Sequence, residues 1–272
     1  MIKQLTYQVS DISPYINWLY FYHTWGMTGK PEKAKRKLRD DAEKMLKTWE
    51  KKYRCLARFG IFAANSDGDD LLVGGLRIPM LRQQKSTQSA EPNLCLADFI
   101  IPVTDGKTDQ IGIFCVTVEA DVRNDYHEDV YERMLSQVLA DRLAEGTAEK
   151  MHEEVRRKYW GYAPDEQLTM EQTHNEEYQG IRPAVGYPSL PDTSINFLLD
   201  ELLDMKQVGV RLTESGMMQP HASVSGFMFA HPQSRYFELG KIGEDQLADY
   251  AARRGLPLTM VRKFLEMSLL KK

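Results

Sequence analysis

The chain of 272 residues is long enough to bury a sizeable core, either as one large domain or as two small ones. A hydrophobic fraction of 42% and a charged fraction of 27% are ordinary for a soluble globular protein and argue against disorder. The net charge of -4 argues against nucleic acid as a main partner, because phosphate binding relies on a basic surface.

Cysteine usage indicates a reducing compartment, and hydropathy predicts neither a signal peptide nor a membrane span. Cys55, Cys95 and Cys115 are scattered singly, in a pattern that fits neither a disulfide framework nor a zinc site. The first residues lack the apolar core of a signal peptide, and the sequence contains no run of about 18 apolar residues. We therefore expect a cytoplasmic protein without a membrane span and without a metal site.

The first half of the chain predicts strands and helices in alternation. Residues 2–9 alternate well enough for a strand, and Ser13-Pro14 has the pattern of an N-cap followed by proline at the first helical position. The predicted helix carries Asn17 and several aromatic residues. We interpret the aromatic residues as part of the core rather than as a cofactor site. Residues 31–53 form a charge-dense pattern with apolar residues at helical spacing, typical of a helix with one solvated face.

The middle of the chain predicts antiparallel strands. The turn sequence Ser66-Asp67-Gly68-Asp69 is a strong hairpin signal, and the polar segment 83–93 predicts a loop. Three segments have strand character, at residues 57–65, 71–78 and 111–119. No low-complexity linker or internal repeat divides the chain.

A long helix predicted over residues 125–159 carries Glu145 on one face with Met134, Val138 and Ala148, at about 3.6 residues per turn. A carboxylate on an apolar stripe is costly to bury without a partner. Glu145 therefore indicates either a ligand amine or an arginine as its partner, or a side chain that reaches solvent at the edge of a broad stripe.

Residues 179–192 contain three prolines and two glycines in fourteen positions, which predicts a loop of fixed course. Arg182 in this loop offers a planar fork of donors suited to a carboxylate or a phosphate. Gly186 lets a ligand approach the backbone, and Tyr187 can offer its ring face to a cation. The segment predicts a clamp for a zwitterionic ligand, with a rigid loop and a solvated arginine as the alternative.

The last third predicts a mixture of strands and helices. Asp192-Thr193-Ser194 can cap a helix that bears a leucine-rich stripe, and Gly255 is placed to end a later helix. Strands are predicted at residues 208–212, 222–230 and 235–239, and helices at residues 244–254 and 258–267.

A series of short motifs, in the same order along the chain, resembles the activation domain of cobalamin-dependent methionine synthase. The motifs are Tyr15-Ile-Asn-Trp18, Ala63-Ala-Asn-Ser-Asp-Gly-Asp-Asp70, Leu81-Arg-Gln-Gln84, Leu94-Cys-Leu-Ala-Asp-Phe99, Ala140-Asp-Arg-Leu-Ala-Glu145, Tyr159-Trp-Gly-Tyr-Ala-Pro164, Tyr178-Gln-Gly-Ile-Arg-Pro-Ala-Val-Gly-Tyr-Pro188, Ala222-Ser-Val-Ser-Gly226 and Gly243-Glu-Asp-Gln246. Within them, Arg-Pro-Ala-x-Gly-Tyr-Pro is that family's S-adenosylmethionine-binding signature. The resemblance implies an α+β fold: a single mixed domain over residues 1–272, with a bent antiparallel sheet flanked by helices.

The resemblance also implies a set of S-adenosylmethionine-binding residues. Arg182 would take the ligand's carboxylate, and the backbone at Ala184 would meet its adenine end. Glu145 and Glu176 would balance the positive end. Five further positions would complete the site, namely Asn17, Gly186, the ligand-lining aromatics Tyr187 and Tyr236, and Phe237, which stands where the family often has another tyrosine.

Two departures from the family pattern stand out. Asn17 occupies a position where the family usually has Asp, and an amide accepts a weaker hydrogen bond from an ammonium than a carboxylate does. Gln219-Pro220-His221 replaces a Trp-Pro-Gly expected near the cobalamin-facing surface.

In the family, oxidised cob(II)alamin receives an electron from a flavodoxin-type donor and a methyl group from S-adenosylmethionine. The cobalamin-binding motif Asp-x-His-x-x-Gly is missing here, so cobalamin would come only with a partner chain. We therefore expect a component of methionine synthase activity that acts in trans. The alternatives are a regulatory module that docks to a corrinoid protein without turnover, and a stand-alone methyltransferase, which is disfavoured because no Gly-x-Gly loop follows a strand.

Overall fold

Six strands form one antiparallel sheet in the computed structural model, which describes residues 1–84, 92–119 and 125–270. The described residues contain eight strands in all, namely β1 (Ile2–Tyr7), β2 (Arg54–Asp67), β3 (Asp70–Val73), β4 (Leu76–Pro79), β5 (Asp109–Glu119), β6 (Arg211–Leu212), β7 (Met218–Gln219) and β8 (Ser223–Met228). The sheet order is β4-β3-β2-β5-β8, β1 also pairs with β2, and β6 and β7 form a separate small pair.

Helices cover the sheet. They are α1 (Val9–Ile12), α2 (Trp18–Thr24), α3 (Glu32–Trp49), α4 (Val130–Glu154), α5 (Met170–His174), α6 (Ile195–Leu203), α7 (Glu244–Arg254) and α8 (Leu258–Phe264). A π-helical turn, Val155–Tyr159, extends α4, and such turns are frequent at functional sites. The predicted α+β class, with a bent antiparallel sheet flanked by helices, is confirmed.

Strands β2 and β5 form the centre of the sheet. They pair from Arg54 opposite Glu119 to Ala64 opposite Asp109, and the interior of β5 is buried on both faces. A strand that is covered on both sides reads as a continuous apolar run, as residues 111–118 do. One core cluster packs α3 and α4 against the sheet, and a second core cluster includes residues of α6 and of the β3–β4 hairpin.

Helix α4 carries functional groups along the sheet. The Asp129 side chain caps it by accepting a hydrogen bond from the backbone of Glu132 at 2.8 Å. Its buried leucines face the core, at positions 135, 139 and 143. Glu145, Glu149 and His152 follow at spacings of four and three residues, so they lie along one stripe of the same helix.

The structure corrects several predicted boundaries. The strand predicted at 71–78 is split into β3 and β4, because Gly74 and Gly75 both adopt positive φ and make a turn. The aromatic helix does not open at Ser13-Pro14: a 3₁₀ turn covers Ser13–Tyr15, and α2 begins after Asn17. The predicted loop at 83–93 lies partly outside the described residues, which omit 85–91.

Two other predicted strands are wrong or shortened. Residues 235–239 pair with no strand among the described residues, and Leu239 instead donates its backbone N–H to Pro188 O in the 179–192 loop. The strand predicted at 208–212 shrinks to β6, because a 3₁₀ turn covers Met205–Val208. By contrast, α7 has its predicted bounds, and Gly255 ends it in the left-handed conformation.

Within residues 1–84, 92–119 and 125–270, no helix combines the length and apolar character that crossing a bilayer requires. The same ranges contain no cluster of three or more His, Cys, Asp or Glu side chains able to hold a metal ion. The three cysteines are buried as free thiols.

Candidate functional site

The 179–192 loop has a fixed course because strand β8 holds it. Phe227 donates its backbone N–H to Pro183 O at 3.0 Å, and Val185 donates to Ser225 O at 2.9 Å. Gly226 makes this approach possible, since a Cβ atom there would lie 2.1 Å from Pro183 O. The loop predicted from its prolines and glycines is confirmed, and it presents Arg182 from a rigid support.

A cavity of about 620 Å³ lies between this loop, helix α4 and helix α2. This volume falls within the range of small-molecule sites, about 300–1,000 Å³. Every candidate residue except Gly186 lines the cavity, namely Asn17, Glu145, Glu176, Arg182, Ala184, Tyr187, Tyr236 and Phe237. Gly186 adopts a φ of 91°, and a Cβ there would meet nothing within 4 Å, so glycine serves the backbone turn at this position.

Arg182 is buried in the cavity wall, with 6% of its surface exposed. Its guanidinium pairs through Nη2 with Glu149 of helix α4, and its backbone N–H donates to Tyr236 Oη at 2.9 Å. Burial disfavours the charged form of Arg182, but Glu149, together with Tyr236, Tyr178 and Glu145, outweighs that effect, so the pKa of the guanidinium is raised. Arg182 is therefore a buried cation that is paired with Glu149, and the alternative prediction of a solvated arginine is wrong.

Glu149 is a cavity residue that the sequence reasoning missed. It lies one helical turn after Glu145, and this four-residue spacing was the available signal. Its side chain is 18% exposed, so the carboxylate lies in the wall rather than at the rim.

Glu145 lies at the edge of its apolar stripe, as one of the two predicted alternatives had it. It is partly buried, and Ala148 on the same stripe is fully buried, whereas Met134 is 49% exposed. Its partner is the Tyr187 hydroxyl, which donates to the carboxylate across the cavity. Burial, together with Glu145, raises the pKa of Tyr187 and keeps this hydroxyl protonated.

Asn17 has a structural role in the described residues. Its Oδ1 accepts from the backbone N–H groups of Leu19 at 3.1 Å and Tyr20 at 3.5 Å, which caps helix α2. The side chain still lines the cavity, so it combines a capping position with access to a ligand.

Glu176 stands at the cavity rim in an unusual backbone conformation. Its φ of 59° lies in the left-handed region, where a residue other than glycine marks a strained and often functional position. The residue as a whole is exposed, but its carboxylate is partly desolvated. This desolvation and, to a smaller extent, repulsion from Glu149 raise the pKa of Glu176, although the charge of Arg182 acts in the opposite direction.

A buried polar network contacts the cavity wall at Tyr236, and the sequence reasoning missed this network. Tyr178 Oη lies 3.4 Å from Tyr236 Oη, and the Arg156 guanidinium lies 4.1 Å from the centre of the Tyr178 ring. Arg156 in turn binds both oxygens of Glu166 and contacts His152 Nδ1 at 2.9 Å. Burial raises the pKa of Tyr236 to about 12, so this phenol stays protonated where it accepts from the Arg182 backbone.

The fold and the cavity first define a class: an α+β module with a cleft in which a buried arginine lies among several carboxylates. Such a cleft suits a ligand that carries both a carboxylate and positive charge.

The chain belongs to the family of vitamin B12 dependent methionine synthase activation domains, whose family model matches residues 8–255. It is also similar to a crystal structure of the MetH reactivation domain bound to AdoHcy, with 38% sequence identity and a TM-score of 0.91. That similarity covers 100% of this chain and 91% of that chain. The resemblance based on the sequence motifs is thereby confirmed.

Proposed function

We propose that the cavity binds S-adenosylmethionine and that the chain supports reductive remethylation of cob(II)alamin on a cobalamin-dependent methionine synthase partner. The observation that carries this proposal is the charge of the cavity. Among its described lining residues, Arg142 and Arg182 face a larger set of carboxylates, namely Glu145, Glu149, Glu176 and Glu238. S-adenosylmethionine has an ammonium, a sulfonium and one carboxylate, so its net positive charge complements this lining.

The similar reactivation domain binds AdoHcy, which is S-adenosylmethionine without its transferable methyl group. We assign Arg182 to the ligand's carboxylate, because a guanidinium forms strong charge-assisted bonds with that group. The backbone at Ala184 would meet the adenine end. Tyr187 and Tyr236 offer aromatic faces compatible with a sulfonium, and Phe237 extends this wall.

The negative side chains complete the proposed binding mode. Glu145 and Glu176 would balance the positive end of the ligand, with Asn17 as a neutral acceptor beside them. Gly186 would keep the backbone beside Tyr187 free of a side chain.

We propose that cobalamin reaches the cavity on a partner chain and that this chain acts in trans. In the proposed reaction, one electron from a flavodoxin-type donor and the methyl group of S-adenosylmethionine convert cob(II)alamin into methylcobalamin and leave S-adenosylhomocysteine. The contribution of this chain is to hold the sulfonium so that its methyl group stays accessible to the partner. The exposed positions of Tyr187 and Glu176 at the cavity mouth fit that requirement.

Calorimetry and a transfer assay test the proposal separately. The purified chain should bind S-adenosylmethionine saturably, and Arg182→Ala should weaken binding by about 1.5–3 kcal/mol through loss of a charge-assisted contact. Arg157→Ala is the matched control, because Arg157 pairs with Glu153 at 3.0 Å on the exposed side of the same region. If the wild-type chain did not bind S-adenosylmethionine, the proposal that this molecule is the ligand would be rejected.

The transfer assay mixes this chain with a cobalamin-loaded methionine synthase that lacks its own activation domain, a reductant and methyl-labelled S-adenosylmethionine. Label should appear on cobalamin only when this chain is present. If ligand binds but no label moves with any tested partner, the docking module without turnover becomes the better interpretation. The capping role of Asn17, where the family usually has a carboxylate, is the observation that favours this second candidate.

A further inference from the structure

The ion pair between Arg182 and Glu149 is incomplete. One guanidinium nitrogen of Arg182, Nη2, contacts one oxygen of Glu149, Oε1. Within the described ranges, the Arg182 Nε and Glu149 Oε2 atoms are both buried and have no hydrogen-bond partner. Buried polar atoms in folded proteins are nearly always hydrogen-bonded, so a missing donor and a missing acceptor on one ion pair need an explanation.

We propose that Glu149 and Arg182 together form the subsite for an α-amino acid group, in which Glu149 binds the ligand's ammonium while Arg182 binds its carboxylate. Arg182 Nε requires an acceptor, and Glu149 Oε2 requires a donor. A single α-amino acid head group supplies both within a few bonds. This inference rests on the proposed function and deepens it, because it assigns the amino group to a residue outside the family signature.

The proposed binding mode keeps every buried charge compensated. Without ligand, the two side chains neutralise each other in the cavity wall. With ligand, the internal contact is kept, Arg182 Nε binds the ligand's carboxylate and Glu149 Oε2 binds its ammonium, so neither residue is left as an isolated buried charge.

Two other acceptors that line the cavity, Glu145 and Asn17, already have partners. Glu145 accepts from Tyr187, and Asn17 Oδ1 accepts from two backbone N–H groups of helix α2. Glu176 lies at the exposed rim. Glu149 is therefore the carboxylate that combines direct contact with Arg182 and an oxygen without a partner among the described residues.

The test compares two ligands on two proteins by calorimetry. The ligands are S-adenosylmethionine and its 2-oxo analogue, in which a carbonyl replaces the amino group. The wild-type chain should bind S-adenosylmethionine at least about tenfold more tightly than the analogue, as expected for a charge-assisted contact. Glu149→Gln should reduce that ratio to about one, because its amide can still accept from Arg182 but presents a donor to the ammonium.

Glu154→Gln is the matched control, since Glu154 lies on the same helix outside the cavity and pairs with Lys150 at 3.4 Å. It should keep the wild-type ratio. If Glu149→Gln weakens both ligands by the same factor, Glu149 merely holds Arg182 and the subsite is refuted. An unchanged ratio with unchanged affinities would also refute it.

A wild-type chain that binds neither ligand would reject the proposed function itself, which separates that failure from failure of the subsite. Thermal unfolding checks that each variant is folded. If Glu149→Gln does not fold, the same affinity ratio is measured on Glu149→Asp. This variant keeps the negative charge but has a side chain shorter by one methylene group, so its oxygens lie farther from the ligand. Its ratio should fall below the wild-type value, and an unchanged ratio would overturn the assignment.

Discussion

Arg156 and Arg182 are both buried arginines beside helix α4, but they differ in how fully they are paired. Arg156 is fully buried, binds both oxygens of Glu166 at 2.8 and 2.6 Å, and contacts His152 with its remaining terminal nitrogen. Arg182 contacts Glu149 through one nitrogen and lines an open cavity. A guanidinium that makes two hydrogen bonds to one carboxylate has few donors left, whereas a guanidinium that makes one such bond beside a cavity keeps donors free for a ligand.

The difference shows why burial of charge is a poor guide to function by itself. In both cases burial disfavours the charged form, and a neighbouring glutamate together with nearby tyrosines outweighs it, so the pKa of the arginine is raised. What separates the two sites is the number of hydrogen bonds already satisfied. We therefore expect substitutions at Arg156 to act on stability, and substitutions at Arg182 to act on ligand binding.

The largest expected effect is the loss of stability in Arg156→Met. This change leaves Glu166 with a buried charge and no cation, and breaking a buried pair from one side typically costs about 3–5 kcal/mol. Urea unfolding of the wild type and the variant measures the change. Arg157→Met, at an exposed neighbouring arginine, should change the unfolding free energy by less than about 1 kcal/mol. Equal losses from the two variants would contradict the structural role of Arg156.

A smaller effect should distinguish Arg182 from Arg156 through the ligand. S-adenosylmethionine at about 100 times its dissociation constant should stabilise the wild-type chain by about 2.7 kcal/mol. Arg182→Ala should lose most of this stabilisation at the same ligand concentration, because its carboxylate contact is gone. A folded Arg156 variant should retain it. The measurement is the free energy of unfolding with and without ligand. If the ligand stabilised Arg182→Ala as much as the wild type, Arg182 would not be part of the binding site.

The sequence predicted the elements whose signals are local. The run at 111–119 lies within β5, and the predicted helix at 244–254 has the bounds of α7, because β-branched content, helical spacing and a terminal glycine all act within a few residues. The helix start near Asn17 was misplaced for the opposite reason. Ser13-Pro14 and Asn17 are both good start signals, and only the extended backbone at Ile16 selects between them.

The candidate site was predictable where a motif carried it and hidden where tertiary contacts made it. Arg182 and Tyr187 stand in a recognisable loop sequence, and both line the cavity. Glu149 and Arg156 belong to no such motif, because their roles depend on which side chains the fold brings against them. Arg182, for example, lies 33 residues from Glu149 in sequence.

Acidic pH should weaken the Arg156 network through His152. Burial, followed by the nearby charges of Arg156 and Arg182, lowers the pKa of His152 well below its ordinary value of 6.5. Below about pH 6.5 the unfolded chain binds a proton at this residue that the folded chain does not, so stability falls as pH falls. The contribution approaches about 1.4 kcal/mol per pH unit.

His152→Gln should remove this part of the pH dependence while retaining an acceptor for Arg156. Unfolding free energies measured between about pH 5 and pH 7.5 should therefore show a shallower acid slope in the variant than in the wild type. His231→Gln, at a partly exposed histidine, is the control and should leave the slope unchanged. Parallel curves for His152→Gln and the wild type would show that His152 does not govern the acid side.

The smallest expected effect concerns Asn17 at the mouth of the cavity. Asp and Asn are comparably good N-caps, and a negative charge at a helix N-terminus is worth about 0.3–1 kcal/mol, so Asn17→Asp should preserve or slightly raise stability. If the side chain also contacts the ligand's ammonium, the added charge should tighten S-adenosylmethionine binding about two- to fivefold. Asn17→Ser keeps the cap without adding charge and should not tighten binding. Equal affinities for Asn17→Asp and the wild type would confine residue 17 to capping α2 and leave Glu149 as the principal acceptor for the amino group.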